Sequence, residues 1–131
     1  MRVHYELAEF LVAAWRLTRP GERLPTSHGI LDRALAQSLD KMPTRLAEAL
    51  TFVGTPVGRL CADVPDILRA AQESYLTSEP NPTYKTSEVK ISAGEAKELL
   101  RDLGVGVAEA RKFGEALSAA MESEILEVAN L

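Results

Sequence analysis

Arginine and histidine, two side chains that can act together on a phosphate ester, lie five positions apart at Arg23 and His28. The segment between them includes Pro25, which cannot lie in the interior of a helix. The alternative is structural: His28 belongs to the first turn of a helix, and Arg23 is a solvated loop residue.

The spacing of this arginine and histidine resembles the catalytic signature of HEPN-type ribonucleases, which are all-helical proteins of similar size. The resemblance implies RNA cleavage, in which Arg23 would hold the phosphate and His28 would act as general base or general acid. It covers six residues, and a motif this short needs its structural context, a helix that carries both side chains. We therefore predict that the protein is not an enzyme, and we keep ribonuclease activity as an alternative.

A second chemistry is phosphate binding by basic side chains. Arg16, Arg19 and Arg23 cluster around the end of the first predicted helix. Such a cluster could contact RNA or DNA, although an arginine near a helix C-terminus also interacts favourably with the helix dipole. The whole net charge of −4 falls within residues 87–131, and an acidic segment works against non-specific binding to phosphates.

Residues 92–113 resemble a helix-turn-helix motif, with Leu-Gly-Val at 103–105 as the turn. The second helix of that motif needs polar side chains near its N-terminus to reach base edges. Here the first residues after the turn are small, apolar or acidic, and Arg111 and Lys112 come only later. A nucleic-acid-binding regulator is therefore an alternative function rather than the preferred one.

Other chemistries lack the residues that they require. One cysteine, Cys61, and two histidines offer too few ligands for a zinc site. The Gly-x-Gly of residues 104–106 lacks the further glycine of a phosphate-binding loop. We therefore expect no metal, no cofactor and no small-molecule substrate.

The sequence predicts a cytoplasmic protein without a membrane segment. It contains no run of 18 apolar residues, the minimum for crossing a bilayer as a helix. Glu6 and Glu9 interrupt the stretch where a signal peptide needs an apolar core. A single cysteine also suits a reducing compartment.

The composition favours helices over strands. Hydrophobic residues make up 46% of the 131 residues and aromatic residues only 5%, which fits one globular domain rich in helix formers. We predict an all-α fold, a single compact bundle of five or six helices with a long C-terminal helix and at most one short strand near 87–91. The single domain 1–131 comprises short helices over 1–76, an extended connection over 77–91 and a helical hairpin over 92–131.

Proline and glycine set the predicted limits of a third helix. Proline is favoured near a helix start and glycine just past its end, so Pro43 and Gly54 should bracket this helix. Its buried row would be Leu46, Leu50 and Val53.

The C-terminal part carries the clearest local signals. Ser92 and Glu95 have the spacing of a capping box, and Gly104 is suited to a left-handed helix end. The alternation over residues 87–92 indicates a strand for which the chain offers no partner strand, so this segment is either irregular or pairs with a second copy of the chain.

The first and last predicted helices carry more apolar residues than one buried face requires. Such a helix is buried on two sides or contacts another chain. The candidate interface residues are Tyr5, Val12, Trp15, Val107, Gly114, Leu117, Met121, Ile125 and Val128.

The preferred function is a non-enzymatic helical interaction or assembly module that binds a protein partner or a second copy of itself. We expect the protein to be a small subunit of a prokaryotic cytoplasmic complex. This complex could be a nucleoprotein complex, in which case nucleic acid would be a partner.

Overall fold

The structure is a computed structural model that describes residues 2–27, 29–56, 58–78 and 86–129. Its helices are α1 (Arg2–Thr18), α2 (Ile30–Gln37), α3 (Thr44–Ala47), α4 (Val64–Glu73), α5 (Ala93–Leu103) and α6 (Val107–Ala129). Its strands are β1 (Leu24–Pro25), β2 (Phe52–Thr55), β3 (Gly58–Cys61), β4 (Thr77–Ser78) and β5 (Thr86–Val89). A 3-10 turn over Leu39–Lys41 follows α2.

The all-α prediction is wrong, because the fold is a mixture of helices with two small antiparallel sheets. In one sheet the strand order is β1-β5-β4, and the other is the hairpin of β2 and β3. The strands are two to four residues long. Helices make up most of the structure, and β1, β3 and β4 lie in segments that the sequence pattern suggested were loops.

A strand near 87–91 does exist, but the expectation that it lacks a partner is wrong. β5 pairs with β1 through Leu24 opposite Ser87, and with β4 through Thr77 opposite Val89. The loops after α1 and after α4 therefore meet along β5. Pairing between segments so far apart in sequence leaves no local signal, which is why composition and periodicity missed it.

The predicted third helix does not extend as far as Gly54. α3 stops at Ala47, and β2 begins at Phe52 and pairs with β3 through Phe52 opposite Cys61. The run Phe52-Val-Gly-Thr is suited to a strand, because aromatic and β-branched residues pack well on a pleated surface. Leu46 is buried as expected, Leu50 is partly buried, and Val53 is exposed.

α1 is the centre of the core, and α4, α5 and α6 pack around it. The Phe10 and Phe113 rings lie 4.8 Å apart between centroids at an interplanar angle of 45°, a tilted geometry that aromatic pairs favour. Gly114 lets α6 approach the Ala14–Thr18 turn of α1 closely. The additional apolar residues of α1 are therefore buried by contacts within the chain.

The local signals of the C-terminal part are confirmed. Ser92 Oγ accepts the N–H of Glu95, and Glu95 accepts the N–H of Ser92 in return. Gly104 has φ 76°, the left-handed conformation that favours glycine. α5 packs mainly on α1, α6 packs on both α1 and α2, and the two helices contact each other only lightly.

None of the helices in the described part of the chain combines the length and the hydropathy that a membrane span requires.

Candidate functional site

Arg19, from the predicted basic cluster, connects α1 to α6. Its Nε donates to Ser118 Oγ at 2.7 Å, and its guanidinium forms ion pairs with Glu122 and, at 3.4 Å, with Glu22. These acidic partners neutralise the charge that a phosphate contact would use. Arg19 therefore has a structural role at this position.

Arg23 holds the edge of the three-stranded sheet. Its Nε donates to Thr86 Oγ1 at 2.8 Å, and Nη2 reaches the Thr86 carbonyl at 3.5 Å. His28, the other member of the predicted ribonuclease pair, lies outside the described residues. Arg23 is at the β1 end of the loop and not on a helix, which departs from the helical context that the resemblance implies.

The remaining basic candidates are dispersed. Arg16 is partly buried on α1, whereas Arg111 and Lys112 are exposed on α6. Arg111 shares a surface depression of about 510 Å³ with Arg19, and Glu115 and Glu122 line the same depression. Two arginines and two glutamates cancel in charge, so this surface is not a basic patch.

Most of the predicted interface residues are buried within the chain, where they offer no surface to a partner. These are Val12, Trp15, Gly114, Leu117 and Met121. Tyr5 and Val107 are partly buried, Ile125 is 45% exposed, and the side chain of Val128 lies outside the described ones. The predicted apolar seam of α1 and α6 is therefore largely internal packing.

Large apolar side chains are exposed at Val53 on the β2–β3 hairpin, at Tyr75 after α4 and at Ile125 on α6. Val53 on β2 is 49% exposed, although it is a large aliphatic residue in the middle of a strand. Within the described ranges β2 pairs only with β3, so its outer side, called here the hairpin edge, is open along Phe52–Thr55. Sequence reasoning missed this surface because it assigned Val53 to a buried helix face.

An apolar groove of about 460 Å³ lies between the hairpin and the start of α4. Its walls are mainly Val53, Leu60, Val64 and Leu68, and Cys61 is buried within it. Ala62 N–H donates to the Thr51 carbonyl at 2.8 Å, and Thr51 N–H donates to Asp63 Oδ2 at 2.6 Å. These bonds fix the base of the hairpin against α4 and so determine the shape of the groove.

Two polar side chains line the same groove, Thr26 and Asp32. Asp32 lies in the first turn of α2 and is only 4% exposed. Burial raises the pKa of the Cys61 thiol to about 11, and the negative charges of Asp63 and Asp32 add to the increase. At neutral pH Cys61 is therefore a protonated, weakly reactive thiol.

A smaller polar cleft of about 250 Å³ separates the start of α1 from α4. His4 Nε2 lies 3.4 Å from Asp63 Oδ1, and the Tyr5 hydroxyl donates to Glu73. That hydrogen bond to Glu73 raises the pKa of Tyr5, and the Glu73 charge adds to the effect. The pairs connect α1 to α4, and in the part of the chain that the structure describes no group of acidic, histidine and cysteine residues is arranged to hold a metal ion.

Comparison with known proteins gives no relative: no family model matches the chain, and no curated protein or solved structure is significantly similar to it.

Proposed function

We propose that the protein is a non-enzymatic assembly module that binds a second copy of itself through the hairpin edge. The observation that carries this proposal is the exposure of Val53 on a strand whose outer edge is open within the described residues. β2 contains no charged residue along Phe52–Thr55.

An open strand edge usually carries protection against pairing with other chains. Charged side chains, a bulge or a covering segment normally supply that protection. Arg59 lies over the Phe52 ring at 4.7 Å and covers that residue, whereas Val53 remains exposed on the opposite face of the strand. The uncovered face is the part of the hairpin that gains most from contact with a partner.

A second copy of the chain is the partner that best fits the hairpin edge. Antiparallel strand pairing is compatible with a two-fold axis, so the edge of β2 is complementary to the same edge of another chain. Pairing of two hairpins would give a four-stranded sheet, and sheets of three or more strands are more stable than an isolated hairpin. The two Val53 side chains would then bury one another or fill the neighbouring groove.

The expected association is weak and concentration-dependent. A stable complex uses about 20–30 residues on each side, and the strand offers four. Self-association of this kind fits a subunit that is added reversibly to a larger assembly.

Light scattering after size exclusion, from about 10 µM to about 1 mM, tests the proposal. The wild-type mass should rise toward that of a dimer with concentration, and Val53→Lys should remain monomeric. Ile125→Lys is the matched control, because Ile125 is a large aliphatic residue of similar exposure, 45%, on α6. It should dimerise like the wild type.

Two results would overturn self-association through the hairpin edge. One is a wild-type protein that stays monomeric up to about 1 mM. The other is equal loss of dimer in the Val53 and Ile125 variants, which would place the contact elsewhere. Circular dichroism on each variant excludes unfolding as the cause.

The wider context of the module is also a proposal. We place it in the cytoplasm as a small subunit of a prokaryotic complex, and the single buried thiol of Cys61 supports a reducing compartment. Binding of nucleic acid stays a prediction. Titration with mixed-sequence RNA and DNA over a salt series tests it, because phosphate contacts would make the affinity fall steeply with salt.

A further inference from the structure

The groove between the hairpin and α4 has the features of a small-molecule site. Its volume of about 460 Å³ falls in the range of ligand pockets, which are mostly apolar with a few polar groups that orient the ligand. Its apolar walls come from three elements, with Val53 on β2, Leu60 on β3, and Val64 and Leu68 on α4.

The polar groups of the groove define the chemistry of its ligand. Asp32 is a carboxylate that is 4% exposed and lines the cavity. A carboxylate has about four acceptor positions, so Asp32 can accept a hydrogen bond from a ligand beside the interaction that it already makes within the chain. Thr26 is the only other polar side chain in the described lining apart from the Cys61 thiol.

We infer that the groove binds a small organic cation, an apolar body of aryl or alkyl type that carries one primary ammonium group. The apolar body would contact the valine and leucine walls, and the ammonium group would donate to Asp32. A charge-assisted hydrogen bond is stronger than a neutral one, so the charge of the head group decides affinity. An anionic head group would meet the Asp32 charge and be rejected.

This inference does not depend on self-association. The groove belongs to one chain, and binding is measured at protein concentrations at which scattering reports a monomer. A chain that never dimerises could still bind the ligand, and a dimer could form with the groove empty.

The test compares three probes that share a phenylbutyl body: 4-phenylbutylamine, 4-phenylbutanol and 5-phenylpentanoate. Calorimetric titration should give an affinity for the amine about tenfold higher than for the alcohol. The carboxylate should not bind. Asp32→Asn keeps the shape and removes the charge, so it should abolish the preference for the amine while the affinity for the alcohol changes less than about twofold.

The control variant is Asp66→Asn, which removes an exposed carboxylate on α4 that lines the polar cleft instead. It should bind the three probes as the wild type does. The inference is wrong if the three probes bind equally, if none binds, or if Asp32→Asn retains the preference for the amine.

A second readout uses the unmodified protein and covers the case in which Asp32→Asn fails to fold. Cys61 lies inside the groove, so a bound amine should slow its reaction with a thiol reagent, and the carboxylate probe should not. Equal reaction rates with and without the amine would contradict occupation of the groove.

Discussion

Arg33 on α2 donates to Glu124 on α6 at 3.1 Å, and this ion pair joins the two helices. Glu124 is only 5% exposed, and Gln37 Nε2 donates to its other carboxylate oxygen at 2.7 Å. A buried carboxylate is costly unless such donors surround it. The two α2 side chains therefore determine where α6 lies.

Replacement of Glu124 should destabilise the protein far more than replacement of its exposed neighbour Glu122. Glu124→Ala leaves Arg33 and Gln37 without their acceptor and should cost about 1.5–3 kcal/mol, as expected for hydrogen bonds to a charged group. Glu122 pairs with Arg19 at a more exposed position, so Glu122→Ala should cost less than about 1 kcal/mol. Urea unfolding of both variants measures the difference, and equal losses would contradict the role of the buried pair.

The part of this fold that could be predicted is the part encoded in neighbouring residues. The capping box of Ser92 and Glu95 and the left-handed Gly104 depend on local hydrogen bonds and local sterics, so they could be predicted from the sequence. The hairpin was missed because Pro43 and Gly54 suggested the two ends of one helix, whereas the segment from Phe52 pairs with residues near Cys61.

The candidate sites could be predicted less well for the same reason. Asp32 and Cys61 are 29 positions apart, and only the packing of α2 on β3 brings them to one groove. Nothing in the sequence distinguishes Glu124 from the other glutamates of α6. The position of each in the tertiary structure decides its burial, and periodicity contains no information on that.

Gly114 on α6 should not tolerate a side chain. A Cβ at this position would lie 3.0 Å from the Ala14 carbonyl oxygen and 2.9 Å from Thr18 Cβ, so α1 and α6 would have to move apart. Gly114→Ala should cost about 1–3 kcal/mol, the usual effect of overpacking. The measurement is thermal or urea unfolding.

Gly94 provides the control for that substitution. It lies in the first turn of α5, where a Cβ would meet only Ser92 Oγ at 3.8 Å. Gly94→Ala should leave the stability unchanged or raise it by up to about 1 kcal/mol, because alanine favours helix more than glycine. A stable Gly114→Ala protein would indicate that the two helices are less closely packed than described.

The buried thiol of Cys61 should make stability depend on pH in the alkaline range. Burial raises its pKa from 9.0 to about 11, so the folded state holds the proton more tightly than the unfolded state. The stabilisation is complete below about pH 9 and is lost as the pH rises toward about 11. The free energy of unfolding of the wild type should therefore fall over this range.

Cys61→Ala isolates that contribution from other groups that titrate at the same pH. The variant is less stable at pH 8 because of the lost packing. The difference in free energy of unfolding between the variant and the wild type should become smaller as the pH approaches about 11. If this difference stays constant with pH, the thiol has the same pKa in the folded and the unfolded state.

Tyr75 follows the end of α4 in the left-handed conformation that favours glycine, and its replacement by glycine should stabilise the protein. Its φ is 60° and its side chain is 84% exposed, so the strained backbone gains little from side-chain packing. The N–H of Leu76 donates to the Ala71 carbonyl at 2.9 Å, and that of Tyr75 donates to Gln72 at 3.1 Å, which is the bond pattern of a Schellman helix end. Tyr75→Gly should keep these bonds and raise the free energy of unfolding by about 1 kcal/mol. Tyr75→Ala removes the ring but keeps the Cβ, so it should give no such increase. If the two variants are equally stable, the ring and not the left-handed backbone destabilises the wild type.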